Sequence, residues 1–134
     1  ALAVAEENAK RNGVGARLQL IETDALEYKT DMQFDAILSN PPYIAENVYK
    51  TLQKEIFFEP EIAFVGGDDG LEFYRTLTAK YKNNLKDGGF IAYEIGYDQA
   101  DSLCKIAEEN GMSCQIIKDL GGNDRVSVLR KKQP

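Results

Sequence analysis

The apolar positions change period along the chain, and each change marks an element. In residues 1–12, Leu2, Ala5 and Ala9 fall on one helical face, and Gly13 can close the turn in a left-handed conformation. "RLQLIE" (17–22) alternates in part and predicts a short strand, followed by the polar connection "TDALEYKTDMQ". "FDAILS" (34–39) is apolar with little alternation, the pattern of a central strand covered on both faces. Residues 43–66 have no clear period yet hold Tyr43, Tyr49, Phe57, Phe58 and Phe64. Such a segment is a functional loop or disordered, and its aromatics argue against disorder.

A helix is predicted from Asp69, with Leu71, Tyr74, Thr78, Tyr81 and Leu85 on one face. Asp68 or Asp69 can cap it, and Asp87-Gly88-Gly89 can end it. "FIAYEI" (90–95) reads as a strand and 98–110 as a helix around Ala100, Leu103 and Ala107, stopped by Gly111. "SCQIIK" (113–118) and "RVSVLRK" (125–131) are further strands. Alternating helices and strands imply an α/β fold with a mostly parallel sheet. The last two strands depart from this, because "DLGGND" is too short for a parallel crossover. They must pair antiparallel or lie apart.

Composition narrows the functions. At 134 residues, 43% hydrophobic and 28% charged, the chain suits one compact domain. A net charge of −6 weighs against a nucleic-acid partner, which needs a basic face. The absence of histidine excludes Ser-His-Asp triads and imidazole chemistry within this chain. Cys104 and Cys114 lack metal-ligand spacing and read as core residues in a reducing compartment. No apolar run approaches the roughly 20 residues that span a bilayer, so a cytoplasmic location is expected. The first residue is Ala1, in mid-helix without a cap, as in a piece of a longer protein.

The chemistry concentrates in "SNPPYI" (39–44), directly after "FDAIL". Ligands of open α/β sheets bind beyond the carboxyl ends of the strands. Pro41 and Pro42 fix their own φ and supply no N–H, so nearby carbonyls stay free to accept from a ligand. The Asn40 side-chain oxygen and a proline carbonyl can together accept both hydrogens of a planar –NH2 group, with Tyr43 over its plane. An amide or aromatic amine nitrogen is a poor nucleophile because its lone pair is delocalised. Two acceptors on its hydrogens favour localisation and stabilise the positive charge that builds as a methyl group arrives. Read only as structure, the same residues are a strand terminator with a turn.

With "ENAKRNGV", "NPPYI", "FFEPEIAFVGGDDGLEFYR", "LKDGGFIAYEIGYDQ" and "DLGGNDRVSVLRK", the chain resembles the HemK/PrmC-type release factor N5-glutamine methyltransferases over nearly its whole length. The resemblance implies a partial Rossmann-like S-adenosylmethionine (SAM)-dependent methyltransferase fold. Its sheet is mostly parallel with an antiparallel C-terminal strand and lacks the first two strands. All 134 residues would form the C-terminal part of that class I domain. It further implies that Asn40, Pro41, Pro42 and Tyr43 hold the glutamine of a Gly-Gly-Gln loop, with Asn40 also near the methionine part of SAM. Asp24 and Ala25 match the family's adenine contacts. On its own residues, Asp24 reads equally well as a loop cap.

The family's glycine-rich loop and ribose-binding acidic residue have no counterpart here. Gly13-Val14-Gly15 precedes a predicted strand instead of following one, and "GGDDG" (66–70) reads as a turn and helix cap. Weak or absent SAM binding by residues 1–134 is therefore expected. So is either direct pairing of 17–22 with 34–39 or self-association through the open edge. The competing readings are an amino-methyltransferase of adenine or cytosine in nucleic acid, and an inactive folded remnant. Lesser expectations make 49–64 a lid or sheet packing, Glu59-Pro60 a turn, Glu94 and Tyr97 supporting residues, and Arg125 solvated surface.

Overall fold

Strand β2 (Leu85–Glu94) is where the chain's apolar pattern converges. In the computed structural model, which describes residues 1–51 and 60–132, β2 pairs in parallel with β1 (Phe34–Ser39). On its other side it pairs antiparallel with β4 (Asp124–Lys131), and β3 (Met112–Lys118) pairs antiparallel with β4. The order β1-β2-β4-β3 is thus a mixed α/β sheet with its reversed strand inside. The short link between the last two strands behaves as its length requires. It is a hairpin in which Asp119 Oδ1 accepts from the N–H groups of Gly121 (2.9 Å) and Asn123 (3.0 Å).

The parallel pair needs a crossover, and α3 (Glu72–Tyr81) supplies it. Helix α4 (Ala100–Glu109) then carries the chain from β2 to β3. Tyr74, Leu77 and Tyr81 of α3 and Leu103, Ile106 and Ala107 of α4 form one buried cluster with Ile91, Tyr93, Met112 and Leu129. Each fully buried side chain of this size contributes roughly 1.5–3 kcal/mol of transfer free energy. Where α3 meets the sheet, Tyr93 Oη and Thr78 Oγ1 lie 3.0 Å apart, while the buried Ser127 Oγ, in register with Tyr93 on β4, has no partner among the described residues. Burial pushes the Tyr93 phenol up to about 12, so it stays protonated at neutral pH.

The opposite face of the sheet is built from Leu38, Ala92 and Val128, which are in register across three strands. Leu38 is 73% exposed there, so "FDAIL" is covered on one face, against the expectation of two. Residues 17–22 are not a strand. After a 3-10 turn (Gly15–Arg17) they run without a ladder partner, and Leu18, Leu20 and Ile21 are exposed. An alternating sequence becomes a strand only where a neighbour takes its hydrogen bonds, and 17–22 does not pair with β1. The predicted first helix is present as α1 (Leu2–Arg11), with Ala9 buried and Gly13 at φ +64° closing it.

Two boundaries also move. Helix α3 begins at Glu72, because Asp69 Oδ1 accepts from the Leu71 N–H (3.0 Å) in a turn that precedes it. Asp87-Gly88-Gly89 lies within β2 instead of ending the helix, at an irregularity in its register with β1. Cys104 and Cys114 form a disulfide in place of two isolated thiols. The tight turn between α4 and β3 at Gly111 folds the two elements together and leaves the Cα atoms 5.1 Å apart. Among the described residues, no helix is long and apolar enough to cross a membrane.

Candidate active site

Where β1 ends, its ladder with β2 runs to Ser39 opposite Tyr93, and the chain leaves the sheet at Asn40. Prolines 41 and 42 cannot continue a ladder, so the strand stops sharply there. Pro41 is buried, Pro42 and Tyr43 are half-buried, and Asn40 is exposed. The Asn40 carboxamide makes no hydrogen bond to any described residue.

The far end of the segment is anchored. The Ile44 N–H donates to Phe64 O (2.8 Å) and the Gly66 N–H to Ile44 O (2.9 Å), which makes a parallel bridge between Ile44 and Val65. A short helix, α2 (Glu46–Tyr49), follows, and Tyr49 stacks on Phe64 with ring centroids 6.1 Å apart. Tyr49 and Phe64 are thus packing residues; Phe57, Phe58 and Glu59 lie outside the described residues.

Glycines 66 and 70 form the rear wall. A Cβ on Gly66 would meet Pro42 O at 2.5 Å, and one on Gly70, at φ +73°, would collide with Tyr43 O. "GGDDG" is the turn the sequence predicted, and it additionally backs the Asn40–Tyr43 segment. The side chain of Gln99 donates from Nε2 to Tyr43 O (2.9 Å) and Gly70 O (3.3 Å). Pro42 O therefore faces Gly66 and Tyr43 O is taken by Gln99. Of the proline carbonyls, that of Pro41 has neither neighbour.

Two concavities flank the segment. One, of about 290 Å³ and mostly apolar, is lined by Ala25, Ala36, Leu38, Ser39 and Tyr81 among others. The other, of about 400 Å³, is lined by Tyr43, Val48, Leu71, Tyr97, Gln99 and Arg125 among others. The first runs along β1 from Phe34 to Ser39, and Ala25 lines it together with Tyr81 at the end of α3. Asp24 makes the loop cap: its Oδ1 accepts from the Leu26 N–H at 2.8 Å. Its second carboxylate oxygen and the Ala25 N–H have no partner among the described residues, while Ala25 O accepts from the Tyr81 hydroxyl at 2.8 Å.

Glu94 borders a shallow hollow with Asn40 and Leu38, and Tyr97 is 69% exposed at the second concavity. Arg125, expected as solvated surface, is half-buried. It donates to Asp119 Oδ2 (3.3 Å) and to Ile95 O (3.4 Å) at the end of β2. Gln99, Gly66 and Gly70 were not predicted as site residues. Their one sequence signal is two glycines four apart after an aromatic stretch, which marks close backbone approach without saying to what.

Residues 1–65 match the family model described as "Methyltransferase small domain". The chain is 38% identical over 131 residues to the release factor glutamine methyltransferase of Aquifex aeolicus, covering 98% of this chain and 47% of that protein. It is 41% identical to the enzyme of the same name from Caulobacter vibrioides, covering 100% of this chain and 47% of that one. The chain spans about half the length of these curated relatives. Among solved structures, the ribosomal protein L11 methylase of Lactobacillus delbrueckii subsp. bulgaricus superposes with a TM-score of 0.63 at 19% identity. That match covers 98% of this chain and 53% of the other, and it shows the fold.

Proposed function

We propose, from a chain homologous along nearly its whole length to release factor glutamine methyltransferases, that its Asn40–Tyr43 segment holds a glutamine side-chain amide for methyl transfer. The observation that carries this is the Asn40 carboxamide, free of partners at the carboxyl end of β1, followed by the Pro41 carbonyl, which accepts from no described residue. Asn40 Oδ1 and Pro41 O accept the two N–H bonds of the substrate amide. Tyr43 packs on its plane, and the amide nitrogen is held with its lone pair directed at the donor. As the N–C bond forms, positive charge grows on nitrogen, and these two oxygens stabilise it more strongly than in the ground state. As that bond forms, the donor's methyl carbon–sulfur bond would break and leave a neutral thioether. The methylated nitrogen, made acidic by its charge, would release one proton to solvent, so no described residue needs to act as a strong base.

The methyl donor of this reading is SAM, which when bound supplies an electrophilic methyl group on a sulfonium. The residues present fit part of it. The apolar concavity beside Ala25, the free Ala25 N–H and the open oxygen of Asp24 suit an adenine, and Asn40 suits the methionine end. Among the described residues the glycines after β3 are taken up by its hairpin to β4, so no glycine-rich loop leads from a strand into a helix, and Glu94 at the end of β2 borders Asn40. Weak binding by residues 1–134 alone belongs to the same proposal, as does association through the outer edge of β1. Titration calorimetry and sedimentation of this chain test these two points.

The partner of the reading is a peptide-chain release factor presenting a Gly-Gly-Gln loop. The test incubates the full-length gene product and methyl-labelled SAM with a release factor, with its glutamine-to-alanine variant and with duplex DNA. Label on the glutamine alone supports the proposal. Label on DNA, or none on the release factor, overturns it.

A further inference from the structure

Beyond β1 the Asn40–Tyr43 segment has few ties to the fold. Pro41 and Pro42 have no N–H to donate, and their carbonyls accept from no described residue. The next fixed point is Tyr43 O, and what fixes it comes from 56 residues away: Gln99 Nε2, at 2.9 Å.

Gln99 stands at the N-cap of α4 but makes no side-chain cap there. Glutamine is a poor choice for capping, and here its carboxamide turns away from the helix. Both Nε2 hydrogens are used, one on Tyr43 O and one on Gly70 O (3.3 Å). Oε1 accepts from the Gly96 N–H at 2.9 Å and lies 3.5 Å from the Tyr74 hydroxyl, which donates to Glu94 O at 2.8 Å. One planar group therefore joins three backbone segments: the loop after β1, the glycine turn before α3 and the turn after β2. Gly70 lies against this junction, where a side chain would meet both Tyr43 O and Gln99 Nε2, and having none it leaves room for their contact.

We propose that Gln99 is a positioning residue for methyl transfer: by gripping the Tyr43 carbonyl it sets the pitch of the loop that carries Asn40 and Pro41. The inference rests on the function proposed above and adds a residue to it. Gln99 touches no reacting atom. It acts through the placement of two acceptor oxygens on which in-line attack depends, and an error of about 1 Å in such placement costs on the order of 100-fold in rate.

The test compares Gln99→Glu and Leu103→Ala in the full-length gene product. Gln99→Glu keeps an acceptor for Gly96 but loses both donors. Leu103→Ala opens a cavity under α4 and leaves the carboxamide intact. Gln99→Glu is expected to lower kcat on the order of 100-fold while leaving KM for the release factor and Kd for SAM nearly unchanged. Leu103→Ala is expected to lower the melting temperature without that loss of kcat. Hydrogen exchange, which needs no methyl acceptor, is expected to quicken over residues 43–49 in Gln99→Glu, with β2 unchanged. Wild-type kcat in Gln99→Glu, an equal loss in Leu103→Ala, or unaltered exchange over 43–49 overturns the inference. If the wild-type protein methylates no glutamine, the underlying function fails, and the exchange measurement still decides whether Gln99 holds the loop.

Discussion

Replacing Gly70 by alanine perturbs the rear of the candidate site in a way that can be weighed in advance. Gly70 sits at φ +73°, where an L-residue pays roughly 1–2 kcal/mol. Its new methyl group would collide with Tyr43 O and lie 3.0 Å from Tyr43 C and 3.1 Å from Gln99 Nε2. Forcing a methyl into a packed position of this kind costs a further ~1–3 kcal/mol. Against this, alanine restricts the unfolded chain and recovers about 0.4–1 kcal/mol. The net loss is about 1–4.6 kcal/mol, roughly 3 at the middle of each range, against the ~5–15 kcal/mol that stabilises a typical domain. Gly111 is the matched control: φ is +71°, and no atom lies within 4 Å of its would-be Cβ. Gly111→Ala therefore carries the conformational cost without the collision, and about 1 kcal/mol is expected. Urea unfolding of the two variants, at unchanged m-value, measures the difference. If they lose the same stability, Gly70 and Tyr43 are not in close approach, and the account of the rear wall is wrong.

Three further outcomes are expected. Asn40→Ala removes an exposed side chain without partners, so stability should stay within about 0.5 kcal/mol of wild type. In the same variant, methyl transfer by the full-length gene product should fall at least ~100-fold, with SAM affinity within roughly tenfold; activity near wild type refutes the two-acceptor mechanism. Cys104→Ser opens the cross-link over a sequence separation of 10 and should cost about 2–3 kcal/mol in urea unfolding. A reductant should reproduce that loss in the wild type and add nothing to the variant. The Asp119 carboxyl is held below the usual carboxylate range, first by the Asn123 backbone N–H and also by the Arg125 guanidinium and the Gly121 N–H. Its contribution is complete above the unfolded-state value near pH 4 and is lost as pH falls through the depressed folded value. Asp119→Asn should therefore unfold more easily at neutral pH and show a flatter acid limb below about pH 4 in urea melts taken across pH.

The elements that were legible in the sequence are those whose neighbours also lie in it. β1, β2, α4, β3 and β4 have their partners among the described residues, and their periods were read within a few positions. The stretch 17–22 has an equally good pattern and no neighbour to satisfy its backbone, so the pattern did not become structure. The start of α3 was misplaced because an Asp before a helix can cap it or make a turn of its own. Asp69 makes the turn and binds Arg75 at 2.5 Å.

For the candidate site, the place of Asn40 at the end of β1 was legible because "NPPY" ends a strand by local chemistry. Gln99 was not, because its meaning depends on Tyr43 and Gly70 coming near it in space, 56 and 29 residues away along the chain. The disulfide was invisible for a similar reason. Cysteines ten apart mean little until a tight turn folds α4 back along β3.

The sheet order carries a consequence for how the molecule is made. β3 leaves the ribosome before β4, yet among the described residues its ladder hydrogen bonds run only to β4, which is wedged between β3 and β2. During vectorial synthesis, β2 waits with one flank bare while some thirty more residues are polymerised, and β3 waits with it. Translation arrested before Asp124 would release a nascent chain with two unzipped strands, a natural client for a holdase.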